Sequence, residues 1–271
     1  MSADIQTRVL VLANQKGGVG KTTTAINLGT ALAAIGEQVL IIDLDPQGNA
    51  TTGLGIERAA RKISTYDVLT GESDLRTSVL ATAVPRLYVA PSTLDLLGVE
   101  LEISSHADRT YKLRNAIAEL TSRRSADEPQ FTYILVDCPP SLNLLTINAF
   151  AAADSVLVPM QCEFFALEGL SQLLSTVEQV KKSLNPRLTI HGVVLTMFDP
   201  RNNLASQVVA DVRQFMGDKV YDTIIPRNVR VSEAPSHGKP VLLYDLKCTG
   251  SQAYLKLASE VIQREHRLRA A

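Results

Sequence analysis

The chain has 271 residues, of which 45% are hydrophobic and 20% are charged. This balance is typical of a globular protein and excludes a disordered chain. Its 27 basic and 28 acidic residues leave a formal net charge of −1, which excludes a polycationic nucleic-acid protein. Any contact with nucleic acid must therefore come from a local basic patch. The length fits one α/β domain, and we expect residues 1–271 to form a single domain with its own core.

Cysteine and histidine spacing offers no zinc-binding pattern. Cys138, Cys162 and Cys248 contain no Cys-x-x-Cys pair, and the four histidines form no cluster. We expect the cysteines to be buried and reduced. The apolar run at residues 9–13 is too short for a signal peptide or a membrane span. The sequence therefore predicts a cytoplasmic protein that makes no membrane contact.

Short β-branched runs alternate along the chain with segments of helical periodicity. The predicted strands lie at residues 9–13, 39–42, 133–136, 155–158 and 190–195. The first predicted helix, at residues 22–34, ends just before Gly36, a residue type that commonly stops helices. This alternation predicts parallel strands joined by helical crossovers. We therefore expect an α/β fold with a doubly wound, mostly parallel sheet and helices on both faces.

Later segments complete this pattern. A polar stretch at residues 121–130 (TSRRSADEPQ) is predicted to be a surface connection between elements. Two more helices are predicted from apolar residues that recur on one face. These faces consist of Leu167, Leu170, Leu174 and Val177 in one helix, and of Leu204, Val208, Val212 and Phe215 in the other.

A glycine-rich loop lies between the first predicted strand and the first predicted helix. Strand, loop and helix in this order are the context that a phosphate-binding loop requires. Glycines let main-chain N–H groups surround an anion, and the helix N-terminus adds a positive dipole. In this motif Lys21 neutralises the β- and γ-phosphates and Thr22 ligates Mg²⁺. A simple glycine-rich turn is the competing interpretation. The candidate nucleotide-binding residues are Lys16, Gly17, Gly18, Val19, Gly20, Lys21, Thr22 and Thr23.

Carboxylates follow two of the predicted strands, at the sheet edge where ligands bind in doubly wound folds. Asp137 comes directly after an apolar strand and is a candidate magnesium ligand. Asp43 and Asp45 share one face of another strand end, so either could face a ligand bound at this edge. We favour Asp45, the residue before Pro46. A turn or capping role is the structural alternative for each carboxylate.

The loop departs from the usual phosphate-binding pattern in two places. Gln15 stands where that pattern has glycine, and Lys16 is a second lysine inside the loop. The sequence KGGVGKTT resembles the deviant Walker A motif of the family that includes ParA partition ATPases, MinD-type ATPases and the nitrogenase iron protein. The resemblance implies that ATP binds here and that Lys16 reaches across a homodimer interface to the partner's nucleotide. It also implies that Asp45 positions the attacking water.

Four further segments, in order along nearly the whole chain, resemble the chromosomal ParA group. The resemblance implies that Pro226, Arg227 and Asn228 line the adenine and ribose pocket. It implies that Arg201 and Arg230 bind DNA, for which the planar guanidinium suits phosphate oxygens. The four segments are residues 45–51 (DPQGNAT), 164–170 (FFALEGL), 195–199 (LTMFD) and 225–240 (IPRNVRVSEAPSHGKP).

The resemblance implies a partition ATPase whose catalytic residues are Lys16, Lys21 and Asp45. ATP with Mg²⁺ would drive homodimerisation, and the dimer would bind nonspecific double-stranded DNA on the nucleoid. A ParB-like centromere-binding partner would stimulate hydrolysis and release. Because the loop lies so near the first residue, we expect no N-terminal winged-helix domain of the kind found in larger plasmid relatives.

Three alternatives belong to other functional classes. A MinD-like membrane role calls for a terminal amphipathic helix, but the final turns at residues 264–271 offer a single bulky apolar residue. We therefore expect the segment at residues 251–271 to pack on the core. Nitrogenase-like electron transfer needs cysteines that hold an iron–sulfur cluster, and the sequence context of Cys138 and Cys162 does not favour it. An ATP-dependent ligase or kinase on the same fold stays open.

Overall fold

The computed structural model describes residues 7–122, 129–164 and 166–270, without the side chains of residues 268–270. Among these residues, one sheet has the strand order β3-β4-β2-β5-β1-β6-β7. The pairings are parallel except between β3 and β4. The strands are β1 Arg8–Leu12, β2 Val39–Asp43, β3 Leu80–Ala81, β4 Leu87–Ala90, β5 Tyr133–Asp137, β6 Ser155–Gln161 and β7 Thr189–Thr196.

Helices cover both faces of this sheet, as the sequence predicted. Short 3-10 helices lie at Arg58–Ala60, Leu94–Leu97, Gly217–Lys219 and Ala234–His237. The α-helices are α1 Lys21–Ala34, α2 Asn49–Gly53, α3 Thr65–Thr70, α4 Leu75–Ser78, α5 Val99–Glu102, α6 Lys112–Ser122, α7 Leu144–Ala152, α8 Ala166–Ser183, α9 Asn203–Met216, α10 Val229–Glu233, α11 Val241–Tyr244 and α12 Thr249–Ala270.

Alternation along β1 divides the core into two layers. Val9 and Val11 pack in one cluster with α6, α7, α8 and α9, whereas Leu10 and Leu12 pack in the other with α1 and α12. Successive side chains of a strand point to opposite faces, so a fully apolar strand needs cover on both sides. The continuous apolar run of β1 therefore explains why it is a central strand.

The five predicted strands are confirmed, and the sheet is mostly parallel as expected. Two strands that we did not predict, β3 and β4, extend the sheet at one edge. The second half of the chain contains the predicted helices, but two residues of the α9 apolar face are exposed. Leu204 is 40% exposed and Phe215 is 57% exposed, whereas Val208 and Val212 are buried. Both exposed residues lie near the ends of α9, and the buried residues Ala205, Val208 and Val212 lie between them.

The C-terminal helix α12 packs on the core as predicted. Tyr254, Leu257 and Val261 are buried in the layer that contains α1. The side chain of Leu268, the single bulky apolar residue of the final turns, lies outside the described residues. Most of the predicted surface connection at residues 121–130 lies outside them too. Its first two residues, Thr121 and Ser122, are the end of α6, and residues 129 and 130 are exposed.

Candidate functional site

The glycine-rich loop links the end of β1 to the start of α1. Gly18 and Gly20 have φ angles of 74° and 86°, a backbone conformation that residues with side chains rarely adopt. Gly20 caps α1, and no side chain satisfies the first N–H groups of this helix. Because these donors and the helix dipole point out of the helix end, the loop is suited to bind an anion.

Lys21 lies at the centre of this loop and is only 6% exposed. Its Nζ atom donates a hydrogen bond to the main-chain oxygen of Lys16 over 3.0 Å. Burial lowers the pKa of Lys21, while the charges of Asp137, Cys138 and Asp45 oppose this shift. A bound polyanion would add further negative charge beside the ammonium group and so favour its protonated form.

Asp137 lies at the end of β5, directly beside the loop. Both of its carboxylate oxygens are buried without a hydrogen-bond partner among the described residues. Burial raises the pKa of Asp137 well above its usual range, Asp43 adds to the shift, and the nearby Thr22 hydroxyl opposes it. Buried carboxylates without partners are costly, so this group calls for a cation.

The donor set here suits Mg²⁺, which typically takes one or two carboxylates, waters and substrate phosphates. In the part of the chain that the structure describes, no three His, Cys, Asp or Glu side chains converge on a metal position. A metal at this site would therefore depend on Thr22, Asp137 and a bound phosphate together. This arrangement fits a metal that enters with its nucleotide.

Asp43 and Asp45 have different surroundings although they are two residues apart. Asp43 is fully buried, and its Oδ2 atom accepts hydrogen bonds from the Thr51 amide over 2.9 Å and the Thr51 hydroxyl over 2.6 Å. Asp45 contributes to the wall of an open cleft, and its Oδ1 atom accepts a hydrogen bond from the Gln47 amide. Asp43 thus fixes the backbone, and Asp45 is the carboxylate that faces the cleft.

The cleft has a volume of about 920 Å³ and extends from the glycine loop to the segment before α10. Pro226, Arg227 and Asn228, the residues predicted to bind the base and ribose, line it together with the loop. Asn228 also caps α10, where its Oδ1 atom accepts hydrogen bonds from the amides of Arg230 and Val231. The fold therefore brings together two segments that are some 200 residues apart in the sequence.

Most of the predicted loop residues line the cleft, and two do not. Gly17, Gly18, Gly20, Lys21, Thr22 and Thr23 belong to its wall. Val19 is 1% exposed, and its main-chain oxygen accepts a hydrogen bond from the Thr196 hydroxyl over 2.8 Å. The Lys16 side chain lies outside the cleft wall and forms an ion pair with Glu163.

Sequence reasoning missed several residues of the cleft wall. Pro139 and Pro140 follow Asp137, and Met197 follows β7 with a φ angle of 51°. The signal for Met197 was present, because it belongs to the LTMFD segment quoted above. Leu97 and Tyr254 come from elements that no motif connects with the loop, and only the packing of α12 and the turn before α5 brings them there.

The two arginines predicted to contact DNA lie in neighbouring segments. The Phe198 amide donates to the Ile225 oxygen over 3.1 Å, and the Arg227 amide donates to the Phe198 oxygen over 2.9 Å. Arg201 is 86% exposed and pairs with Asp199, which lies two residues before it. Arg230 is 54% exposed and pairs with Glu233 and Asp245. Each guanidinium is thus accessible but engaged by a carboxylate.

The glycine loop, buried lysine and strand-end carboxylates around one cleft define a P-loop nucleoside triphosphatase of the α/β class. A family profile described as an AAA domain matches residues 7–190. The chain is 65% identical to the chromosome partitioning protein ParA of Caulobacter vibrioides (strain NA1000 / CB15N) over 258 residues, which is 95% of both chains. It is 53% identical to the sporulation initiation inhibitor protein Soj of Bacillus subtilis (strain 168), covering 94% of this chain and 98% of that one. The chain belongs to the ParA family of chromosome-partitioning ATPases.

A solved structure supports the same fold. The cobyrinic acid a,c-diamide synthase of Mycobacterium smegmatis, with bound ATP analogue and magnesium, has a TM-score of 0.83 and 35% identity over 95% of each chain. That protein carries the name of a synthase, while the relatives at 65% and 53% identity carry partition and sporulation names. Sequence similarity therefore favours partition over the ligase alternative.

The described residues contain no helix that is both long enough and apolar enough to span a membrane. The three cysteines are free, and Cys138 and Cys162 are buried. Burial raises the pKa of Cys138 well above its usual range, and burial also raises that of Cys162 to about 11. Without a metal beside them, both buried thiols resist deprotonation.

Proposed function

We propose that this chain acts as one domain, residues 1–271, and that the bound nucleotide switches it between a monomer and a homodimer. ATP and Mg²⁺ bind in the cleft, two copies associate face to face, and the pair binds nonspecific double-stranded DNA. A ParB-like partner then stimulates hydrolysis and release. Repeated cycles would position a chromosome origin or plasmid and would place the protein in the cytoplasm, on the nucleoid.

The proposal that Mg²⁺ binds here rests on the two buried Asp137 oxygens that lack a hydrogen-bond partner among the described residues. In this proposal Asp137 and the Thr22 hydroxyl would hold Mg²⁺, which would supply positive charge beside the phosphates that the loop binds. The Lys21 ammonium lies where it would neutralise the β- and γ-phosphates. The positive charge of the metal would offset the burial that now raises the pKa of Asp137.

At the other end of the cleft, we propose that residues 226–228 hold the adenine and ribose. Pro226 offers an apolar surface, and the Asn228 amide offers hydrogen bonds to a purine edge. The Asn228 Nδ2 atom now donates to the Thr249 hydroxyl over 2.9 Å. Base recognition would therefore share or replace a bond between α10 and α12, which links nucleotide binding to the C-terminal helix.

The proposed role of Lys16 requires its side chain to leave Glu163. Both side chains are more than 40% exposed, so this ion pair contributes little stability, about 0–1 kcal/mol. A partner's triphosphate carries more charge than one carboxylate and would compete for the ammonium group. Because the lysine is at the surface and not in its own cleft, it is positioned to reach a second copy.

Size-exclusion chromatography with light scattering tests the switch. The wild type should be monomeric without nucleotide and dimeric in the presence of a non-hydrolysable ATP analogue and Mg²⁺. Lys16→Ala should stay monomeric with the analogue and Mg²⁺, because the phosphates of the partner's nucleotide lose a cation. Lys256→Ala, an exposed lysine on α12, is the matched control and should pair normally. A wild type that stays single with analogue and Mg²⁺ would refute the proposal.

A further inference from the structure

Ser92 lies behind the catalytic loop, just after β4. Its side chain is fully buried, and its Oγ atom donates a hydrogen bond to the main-chain oxygen of Asp45 over 2.6 Å. Because β4 pairs in parallel with β2, both strands end at the same edge of the sheet. This pairing brings Ser92 to Asp45 although 47 residues separate them. The bond is therefore a product of the sheet order.

The same serine belongs to a closed ring of hydrogen bonds. Its amide donates to the Thr51 hydroxyl over 3.1 Å, and that hydroxyl donates to Asp43 Oδ2 over 2.6 Å. Asp43 Oδ1 in turn accepts a hydrogen bond from the Asp45 amide over 3.2 Å. The main chain of Asp45 is thus held at its N–H by Asp43 and at its oxygen by Ser92. All four residues are buried, so the ring is shielded from competition by water.

Arg61 lies outside this ring of hydrogen bonds and contacts two residues beside it. Its guanidinium donates a hydrogen bond to the main-chain oxygen of Ser92 over 3.3 Å and another to the Thr52 hydroxyl over 2.8 Å. A Cβ atom at Gly48 would lie 2.7 Å from Arg61 Nη1 and 3.1 Å from the Ser92 oxygen, so the approach requires glycine there. Neither Ser92 nor Arg61 contributes to the cleft wall.

We infer that Ser92 is a positioning residue that holds the Asp45 carboxylate in place for hydrolysis. This inference rests on the proposed catalytic role of Asp45. Without the serine hydroxyl, the main-chain oxygen of Asp45 would keep, among the described residues, only the hydrogen bond from the Gly48 amide, over 2.8 Å. Small displacements of a catalytic group lower turnover strongly, whereas ATP affinity depends on the loop, which Ser92 does not touch.

Steady-state phosphate release and binding of a fluorescent ATP analogue test the inference on the full chain with Mg²⁺. Ser92→Ala should lower kcat about five- to tenfold, the effect of one lost hydrogen bond on the barrier. Its Kd for the analogue should stay within twofold of the wild type. Ser78→Ala is the matched control, because Ser78 is also buried and donates to a main-chain oxygen, that of Leu75, over 2.8 Å. Its kcat should equal the wild-type value.

Equal kcat for Ser92→Ala and wild type would overturn the inference, as would an equal loss in Ser78→Ala. If Ser92→Ala does not fold, Arg61→Gln replaces it and should show the same separation of kcat from Kd, with a smaller loss. Arg61→Gln with wild-type kcat would then overturn the inference. Asp45→Ala in the same series distinguishes a failure of the Ser92 role from a failure of the proposed Asp45 role. If that variant retains full turnover, the proposed role of Asp45 itself is wrong.

Discussion

Three carboxylates at one edge of the sheet differ because their neighbours differ. Among the described residues, Asp137 has two buried oxygens without a hydrogen-bond partner and the Thr22 hydroxyl nearby, Asp43 accepts several hydrogen bonds, and Asp45 faces the cleft. Burial raises the pKa of both Asp43 and Asp137. These environments separate a proposed metal ligand, a backbone anchor and a candidate catalytic group, a separation that the shared residue type does not reveal.

Replacing Asp45 tests its proposed role at the level of one side chain. Asp45→Ala should lower ATP turnover at least about tenfold, because the attacking water loses its positioning group. Nucleotide-dependent pairing should persist, since the loop and the Asp137 site are unchanged. Phosphate release and light scattering measure the two properties. Asp218→Asn, in an exposed turn remote from the cleft, is the control. Normal turnover by Asp45→Ala would reject the assignment.

The buried Asp43 carboxyl predicts a pH dependence of stability. Burial raises its pKa to about 6, against the lowering effect of hydrogen bonds from Thr51 and Asp45. The folded state therefore binds this proton more tightly than the unfolded state, and the contribution of Asp43 to the free energy of unfolding grows as the pH falls. Asp43→Asn lacks this dependence.

Urea denaturation of wild type and Asp43→Asn measures that contribution. The free energy of unfolding of the wild type, minus that of the variant, should increase by about 1 kcal/mol between about pH 7.5 and about pH 5. Taking the difference removes the titration of shared groups whose pKa does not depend on Asp43. A constant difference, or one that decreases toward low pH, would contradict the prediction.

At the scale of elements, a charged cluster ties α12 to the end of the sheet opposite the cleft. Glu265 of α12 is 1% exposed, and its Oε2 atom lies 2.6 Å from Arg8 Nε in β1. His191 Nε2 of β7 lies 3.0 Å from the other oxygen. Burial raises the pKa of Glu265, but His191 and Arg8 outweigh it, so that the pKa is lowered overall. The helix is thus anchored at one end by charge and along its length by apolar packing.

Removing the central charge should destabilise this anchor. Glu265→Gln should lower the free energy of unfolding by about 3 kcal/mol, because it leaves the largely buried Arg8 with only its longer ion pair to Asp154, at 3.7 Å, among the described residues. Glu178→Gln, an exposed glutamate on α8, should change it by less than about 0.5 kcal/mol. Urea denaturation at neutral pH compares the two. Equal effects would show that the buried cluster contributes no more than a surface charge.

At the scale of the whole molecule, the net charge of −1 leaves DNA binding to a local surface. The adjoining segments that contain Arg201 and Arg230 are the predicted surface, and both arginines already pair with carboxylates. DNA phosphates would have to compete with these carboxylates. Binding by one copy would then be weak, and pairing would double the number of available arginines.

Reversing one charge on this surface tests the DNA contact. Arg230→Glu should weaken binding to nonspecific double-stranded DNA at least about tenfold and reduce the steepness of its salt dependence, by roughly 0.9 in log–log slope for each lost phosphate contact. Pairing with ATP analogue should be retained. Arg187→Glu, exposed at the opposite edge of the sheet before β7, is the matched control. Unchanged DNA affinity in Arg230→Glu would remove this residue from the site. Fluorescence anisotropy at several salt concentrations measures both quantities.

Much of the fold and the site followed from local sequence. The apolar runs of β1, β2 and β5 predicted buried parallel strands, and the KGGVGKTT spacing predicted a phosphate-binding loop, in which Gly18 and Gly20 adopt positive φ angles. These features depend on residues next to one another, because side-chain alternation and backbone sterics act over a few positions. β4 was missed because four residues between turns carry too weak a periodic signal.

The sequence by itself therefore determined the class of the fold, the phosphate loop and the family. Only the tertiary structure decided which distant groups meet: Lys16 pairs with Glu163, Ser92 holds Asp45, and Leu204 lies outside the core. Such contacts depend on the order of strands in the sheet and on how far each helix extends beyond it. Spacing along the chain contains no information about either, because both are set by the packing of the two layers as a whole.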